Sequence, residues 1–433
     1  MTAVQIGILG CVMLFVLLAA SMPVAFAMAV VGLAAFAFMV NPAAAFSMVT
    51  ADLYETFSSY SLTVIPLFVL MGQVCFHVGI SRRLFNAAYQ WLGALPGGLA
   101  MATVGACTAF GAICGSGPAT AATMASVALP EMRRYNYSME LGGGAVAAGG
   151  SLGMLIPPSV VFIVYAIMTE QSIGKLFVAG VLPGFMIAAM FCGTIYLSCR
   201  RRPELGPAGP RTTMRAKLAA LAGVSETLIL FVVVMGGMFL GYFTATEAAA
   251  IGAAGSLAIA AARRELTFKM LRTALMETVR TSCMVMVIVA GAVMFGHFLA
   301  RTRIPYVFAE WLGGLPLPGW TIVGSIILFF LLAGCFVDAL ALVLLTVPIF
   351  YPVITKLGYD PIWFGVIIVV VTQMGVISPP VGVNVYVVSG IERDIPLSTV
   401  FRGAMPFLWT LVLAAAILVA FPQISLFLPG LMN

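Results

Sequence analysis

The chain has 433 residues, of which 62% are apolar and 8% charged, and its formal net charge is +6. A soluble globular domain carries charge at about a quarter of its positions, so the composition excludes that class. Several uncharged runs reach the roughly 20 residues that cross a bilayer, and the chain reads as an all-α polytopic membrane protein.

In chain order, apolar runs at 4–20 and 24–40 follow each other directly, with no charged segment before them. That is a helical hairpin and not a signal peptide. A third run covers 62–79. Residues 81–93 mix Arg82, Arg83, Asn86 and Gln90 with Leu84, Phe85, Tyr89 and Trp91, as a helix lying in the membrane interface does. A segment rich in Gly, Ala and Ser fills 98–130. A long run at 141–168, a short amphipathic stretch at 173–178 and a span at 182–199 complete the pattern. The basic, Pro- and Gly-containing stretch 200–217 is a solvated linker.

The pattern then returns. Trp91-Leu92-Gly93-Ala94-Leu95-Pro96 recurs as Trp311-Leu312-Gly313-Gly314-Leu315-Pro316. His77 recurs at His297, Glu55 at Glu277, and the run 153–158 at 375–380. The expected plan is a first repeat over 1–205, a linker over 206–220 and a second repeat over 221–433. Scaffold spans cover 4–93 and 224–313, hairpins 98–130 and 318–356, broken helices 141–168 and 362–391, and last spans 182–199 and 405–423. Internal duplication with matched Pro-interrupted segments points to a transporter's binding site.

The segment 98–130 is too long for one crossing and too short for two. Gly111, Gly115, Gly117 and Pro118 break it in the middle. A re-entrant hairpin is expected, its tip lining a cavity, because bare backbone at that depth costs several kcal/mol unless protein or water satisfies it. With hairpins that do not cross, each half has about five spans and the halves are inverted. Both termini then face the periplasm. With the linker in the cytoplasm, seventeen Lys and Arg fall inside, and four (Lys175, Arg301, Arg303, Lys356) outside. The positive charge is a cytoplasmic-face excess and needs no nucleic-acid partner.

Pro157-Pro158 and Pro379-Pro380 interrupt the centres of the two long runs. Two successive prolines remove two amide donors, so each run becomes two half-helices with free carbonyls and free amides at the break. Carbonyls suit Na⁺ and amide ends suit a carboxylate. Asp338, at the tip of the second hairpin, is the one acid between Glu310 and Asp360. A carboxylate at membrane depth costs about 3 kcal/mol, which a bound cation offsets. Its counterpart by repeat falls near Ala119 or Thr120. The two histidines read as equivalent, structural positions at span ends, and Glu247 as a helix cap or interface residue. The eight cysteines form no C-x-x-C pair and read as packing residues.

The tip Gly115-Ser116-Gly117-Pro118-Ala119-Thr120, the break 153–159 and the stretch 375–384 resemble those of the large membrane subunit of tripartite ATP-independent periplasmic (TRAP) transporters. The resemblance covers essentially the whole chain. It implies an elevator-type ion-transporter fold in a bacterial inner membrane, with Na⁺ as the coupling ion and no cofactor. It implies two partners besides the lipid bilayer: a small four-helix membrane subunit, expected as a separate chain, and a periplasmic binding protein that delivers an organic acid. Carried over by position, a first Na⁺ site is implied at Ser116, Gly117, Thr120, Gly153 and Pro157. A second is implied at Gly334, Asp338, Gly375, Ser378 and Pro379. Substrate is placed near Ser159 and Asn384, beside Pro158 and Pro380. A stand-alone Na⁺/dicarboxylate symporter shares the hairpin plan and remains the alternative. An intramembrane enzyme would need His-Glu-x-x-His, paired acids or an activated serine, and two dispersed histidines with isolated acids supply none. The identity of the acid is open.

Overall fold

The computed structural model describes residues 2–313 and 318–432, and within them the chain is helical throughout, with no strand. The first half runs α1 (Ala3–Ala19), α2 (Val24–Met39), α3 (Pro42–Ser58), α4 (Val64–His77), α5 (Ile80–Leu92), α6 (Gly98–Cys114), α7 (Gly117–Arg134), α8 (Met139–Ser151), α9 (Val160–Thr169) and α10 (Ile173–Arg201). The second runs α11 (Met214–Ala222), α12 (Ser225–Phe239), α13 (Ala245–Ala262), α14 (Phe268–Thr302), α15 (Ile304–Gly313), α16 (Gly319–Gly334), α17 (Ala339–Lys356), α18 (Pro361–Gly375), α19 (Val383–Ile391) and α20 (Leu397–Ala420). Gly314, Leu315 and Pro316 of the recurring Trp-Leu-Gly motif lie outside the described residues, as do Met1 and Asn433.

Local sequence explains where these helices start. Asn41, Ser116, Ser159, Ser172, Thr213 and Thr267 each accept a backbone N–H of the first turn they precede. Glu247 closes a capping box with Thr244 at the head of α13. The cap reading of that residue is therefore what the structure shows.

Among the described residues six helices are long and apolar enough to cross a membrane, residues 60–77, 173–201, 245–262, 268–302, 339–356 and 397–420, and the pair α11 and α12, bent by 56°, makes a seventh if it is one span. Three features differ from the sequence reading. Helix α3 has no counterpart in that reading, because Asp52 and Glu55 with five hydroxyl residues hold its hydropathy down. The stretch at 173–178 and the span at 182–199 are one 29-residue helix, α10, which runs through Pro183. Similarly, α20 is continuous through Pro406. A proline inside a span is tolerated where neighbouring groups satisfy the freed carbonyl.

The helices of the two halves match in order, and their packing partners are exchanged. Helix α2 packs on α14 while α13 packs on α4; α9 meets α17 while α19 meets α7; α8 meets α20 while α18 meets α10. Reciprocal exchange of this kind is the signature of a two-fold relation. Histidines mark it too. His77 Nε2 lies 3.1 Å from Glu277, and His297 Nε2 lies 3.1 Å from Asp52, so each half supplies one imidazole and one carboxylate.

Helices α6 and α7 fold back on each other as a hairpin. Tyr137, just past α7, accepts the Leu99 amide of α6 at 3.2 Å, so both ends of the hairpin lie together. The linker is pinned at the same place: Gly97 and Ser138 donate to Gly206 and Leu205, Gly209 donates to Gly93, and Tyr137 donates to Pro207. Burial pushes the Tyr137 phenol up to about 12, so it stays a donor. The stretch expected to be solvated is thus tied down, which satisfies backbone groups at two loop ends. In the second hairpin the Tyr359 hydroxyl, past α17, sits against Gly319 at the start of α16.

Candidate functional site

The hairpin tips and helix breaks meet. In the first half α6 ends at Gly115 in the left-handed region (φ +66°), and a Cβ there would press on the Pro158 carbonyl at 2.5 Å. Only glycine meets both demands. Val160, opening α9, donates to Gly115 at 3.4 Å, so the tip and the break share a hydrogen bond. Ser116 caps α7, and its carbonyl accepts both the amide and the hydroxyl of Thr120, at 3.0 and 2.8 Å. Gly153 lies against this turn: a Cβ on it would stand 2.7 Å from Thr120 Oγ1 and 2.9 Å from the Ser116 oxygen. Ser116, Thr120 and Gly153 are therefore brought together, with Gly117 packed on Met154 beside them. Pro157 is buried in the break.

The second half repeats the arrangement with a different cap. Asp338 heads α17 as Ser116 heads α7, accepting the Leu340 amide at 3.0 Å. The structural counterpart of Asp338 is thus Ser116, and not Ala119 or Thr120, because the capping turn defines the match. Gly375 faces Gly334 so closely that a Cβ would reach its carbonyl at 2.5 Å. Ser378 donates to Met374 at 2.6 Å, which leaves its oxygen lone pairs free to accept. Pro379 and Pro380 are exposed, whereas Pro157 and Pro158 are buried, so the two breaks differ in access.

A cavity of about 420 Å³ lies between the tips and two earlier helices. Tip residues 114–119, Thr123, Met154, Val160 and residues 338–340 form one wall. The opposite wall comes from α4 (Gln73, Phe76) and α14 (Glu277, Thr281, Met284). Ser116 and Asp338 thus face the same space, and Asp338 is open to it. Ser159 and Asn384 are fully buried and do not line it; Ser159 directly precedes the lining residue Val160, and Asn384 lies against Ala147 and Val376. The Ser159 hydroxyl donates to Met154, and Asn384 donates to Ala147 at 3.0 Å, with Asn384 Oδ1 left without a partner. Sequence reasoning missed Gln73, Glu277 and Thr281. The recurrence of Glu55 at Glu277 marked one of them, but nothing in the pattern showed that it turns toward the tips.

An all-helical fold with membrane-length helices, and with two hairpins whose tips share one cavity, is the architecture of a membrane transport protein. The family model described as tripartite ATP-independent periplasmic transporter, DctM component, matches residues 11–424, and the chain belongs to this family. It is 39% identical to the C4-dicarboxylate TRAP transporter large permease protein DctM of Pseudomonas aeruginosa, over 87% of this chain and 88% of that protein. It is 33% identical to the sialic acid TRAP transporter large permease protein SiaM of Vibrio cholerae, over 96% of each. The ectoine TRAP transporter large permease protein TeaC of Halomonas elongata is 31% identical over 86% of each. Among solved structures, the Alcanivorax borkumensis YdaH transporter superposes with a TM-score of 0.61 at 16% identity, over 90% of this chain and 91% of that one, a likeness of fold alone.

Proposed function

We propose that this chain is the membrane-embedded carrier of a Na⁺-coupled uptake system in a bacterial inner membrane. A periplasmic binding protein hands it an organic acid, and a small four-helix subunit widens its scaffold. The observation that carries this reading is that Ser116 and Asp338, the caps of the two hairpins, face one cavity of about 420 Å³. That volume suits a small organic acid. Among the described residues its charged lining groups are two acids, Glu277 and Asp338, with no Lys or Arg. A carboxylate entering such a cavity is repelled unless cations enter with it, which gives Na⁺ a role beyond driving force.

The first ion would be held by Ser116, Gly117, Thr120, Gly153 and Pro157, and the second by Gly334, Asp338, Gly375, Ser378 and Pro379. Substrate would lie between them, with Ser159 and Asn384 and the neighbouring Pro158 and Pro380 shaping its seat from behind. Hairpins, interrupted helices, α10 and α20 would move as one body past α1–α5 and α12–α15, carrying the site across. Both termini would be periplasmic. Each net positive charge carried inward gains about 2.3 kcal/mol per 100 mV of membrane potential.

Uptake in proteoliposomes tests the reading. The chain with its small subunit should accumulate solute only with an inward Na⁺ gradient and the cognate binding protein. Asp338→Asn should cut the rate at least about tenfold and flatten the Na⁺ dependence. Wild-type rates with an unchanged Na⁺ response would remove Asp338 from the ion site. Uptake by the chain with no binding protein would favour the stand-alone symporter.

A further inference from the structure

The cavity has a wall that the ion and substrate positions above do not use. On α4 and α14 it presents three polar side chains, Gln73, Glu277 and Thr281, among Val69, Phe76, Met284 and Val285. Glu277 is the charged one. Its Oε2 is held by His77 Nε2 at 3.1 Å, and its side chain is 44% exposed, so the carboxylate is tethered and still open to the cavity. A carboxylate is an acceptor only, and one imidazole nitrogen cannot use up its roughly four lone-pair sites. No basic side chain lines the cavity among the described residues, so nothing on this wall attracts a second carboxylate.

We propose that Glu277, positioned by His77, is a substrate-selecting residue of the stationary wall. It favours an organic acid that carries a hydrogen-bond donor, a hydroxyl or a cationic nitrogen, at the end away from its carboxylate. The same group disfavours a dicarboxylate. The carboxylate end of the solute lies at the hairpin tips, where the ions and amides are, and the donor end points across the cavity to Glu277 and Thr281. Seating a second anion against Glu277 places like charges in contact in a confined space, where their repulsion is far stronger than in bulk water. This inference rests on the transport reading above and adds the chemical class of the solute.

The test uses the membrane complex of this chain and its small subunit, without the binding protein, whose own selectivity would otherwise intrude. Thermal stabilisation in saturating Na⁺ is titrated with three probes of equal length: succinate, 4-hydroxybutyrate and 4-aminobutyrate. The wild type should bind a donor-bearing probe at least about tenfold more tightly than succinate, a difference of roughly 1.4 kcal/mol. Glu277→Gln should reduce that ratio to within about threefold, chiefly by improving succinate. Where Glu277→Gln does not assemble, Glu277→Asp withdraws the carboxylate by one methylene and should also shrink the ratio. Succinate bound as tightly as the others by wild type, or a ratio unchanged in either variant, overturns the inference. Na⁺-dependent uptake of succinate alongside those results would leave the transport reading standing. Absence of Na⁺-dependent uptake of every acid would instead remove that reading.

Discussion

At the residue scale, the first hairpin tip tolerates no side chain where three backbone segments converge. Gly153 sits within 3 Å of Thr120 Oγ1 and the Ser116 oxygen, measured from the Cβ it lacks, and Gly111 approaches Gly153 Cα equally closely. Gly153→Ala must displace the Thr120 hydroxyl or the Ser116 carbonyl, the groups proposed to hold the first ion. Overpacking of this kind costs about 1–3 kcal/mol. The Na⁺ concentration for half-maximal uptake should rise about tenfold or more while the complex still assembles; an unshifted Na⁺ curve would move the ion elsewhere. The paired histidines give a second residue-scale contrast. Asp52 is 4% exposed and its Oδ2 has no partner, so His297→Ala strands a buried carboxylate. His297 is itself half exposed, so the loss is that of leaving one buried acceptor unpaired, about 1–3 kcal/mol. Glu277 is half-exposed, and His77→Ala leaves it to water at a cost of about 1 kcal/mol or less. The melting temperature of the purified complex should therefore fall further for His297→Ala; equal falls would contradict the asymmetry.

At the element scale, interrupted helix and last helix cross through glycines. Gly144 of α8 and Gly403 of α20 face each other, and a Cβ on Gly403 would overlap the Glu140 carbonyl. Small residues let helix backbones approach in a membrane, where packing and not hydrophobicity holds helices together. Gly403→Leu should keep the complex from assembling as a monodisperse species on size-exclusion chromatography. Gly324→Ala on α16, with nothing within 4 Å of the added carbon, should be neutral within about 0.5 kcal/mol. Such elements were the legible part of the sequence. Glycine and proline positions located the turn at 115–116 and the breaks before Val160 and Val383, because backbone chemistry is local. Helix α3 was hidden by its polar residues, and α10 by a proline that the surrounding helices absorb. The wall formed by Gln73, Glu277 and Thr281 was hidden for another reason. Which face of α4 or α14 meets the tips is decided by packing between halves, and no periodicity within one helix records it.

At the scale of the whole molecule, exchanged packing partners point to a two-fold between the halves, and the positive-inside rule gives the orientation expected for it in the bilayer. Leu99 and Tyr137 bring the two ends of the first hairpin together beside linker residues 205–209. Arg133 at the end of α7 meets Glu392 and Asp394 past the end of α19, at 3.4 and 3.5 Å. These contacts gather the loops after α5, α7, α10 and α19 at one end of the molecule, with Arg133, Arg134, Arg200, Arg201, Arg202 and Arg393 beside them. A bilayer placed by the positive-inside rule puts that end in the cytoplasm. Lys175, in the first turn of α10, and Lys356, the last residue of α17, are expected at the other end, as two halves of opposite sense require. In a cysteine-free background, Arg82→Cys and Arg133→Cys should react with a membrane-impermeant maleimide only from the cytoplasmic side. Lys175→Cys and Lys356→Cys should react only from the periplasmic side. Labelling of Arg82→Cys and Arg133→Cys from opposite sides would make the first hairpin a crossing segment. The two tips could not then share one cavity in mirrored orientation, and the moving-body account of transport would fail with them.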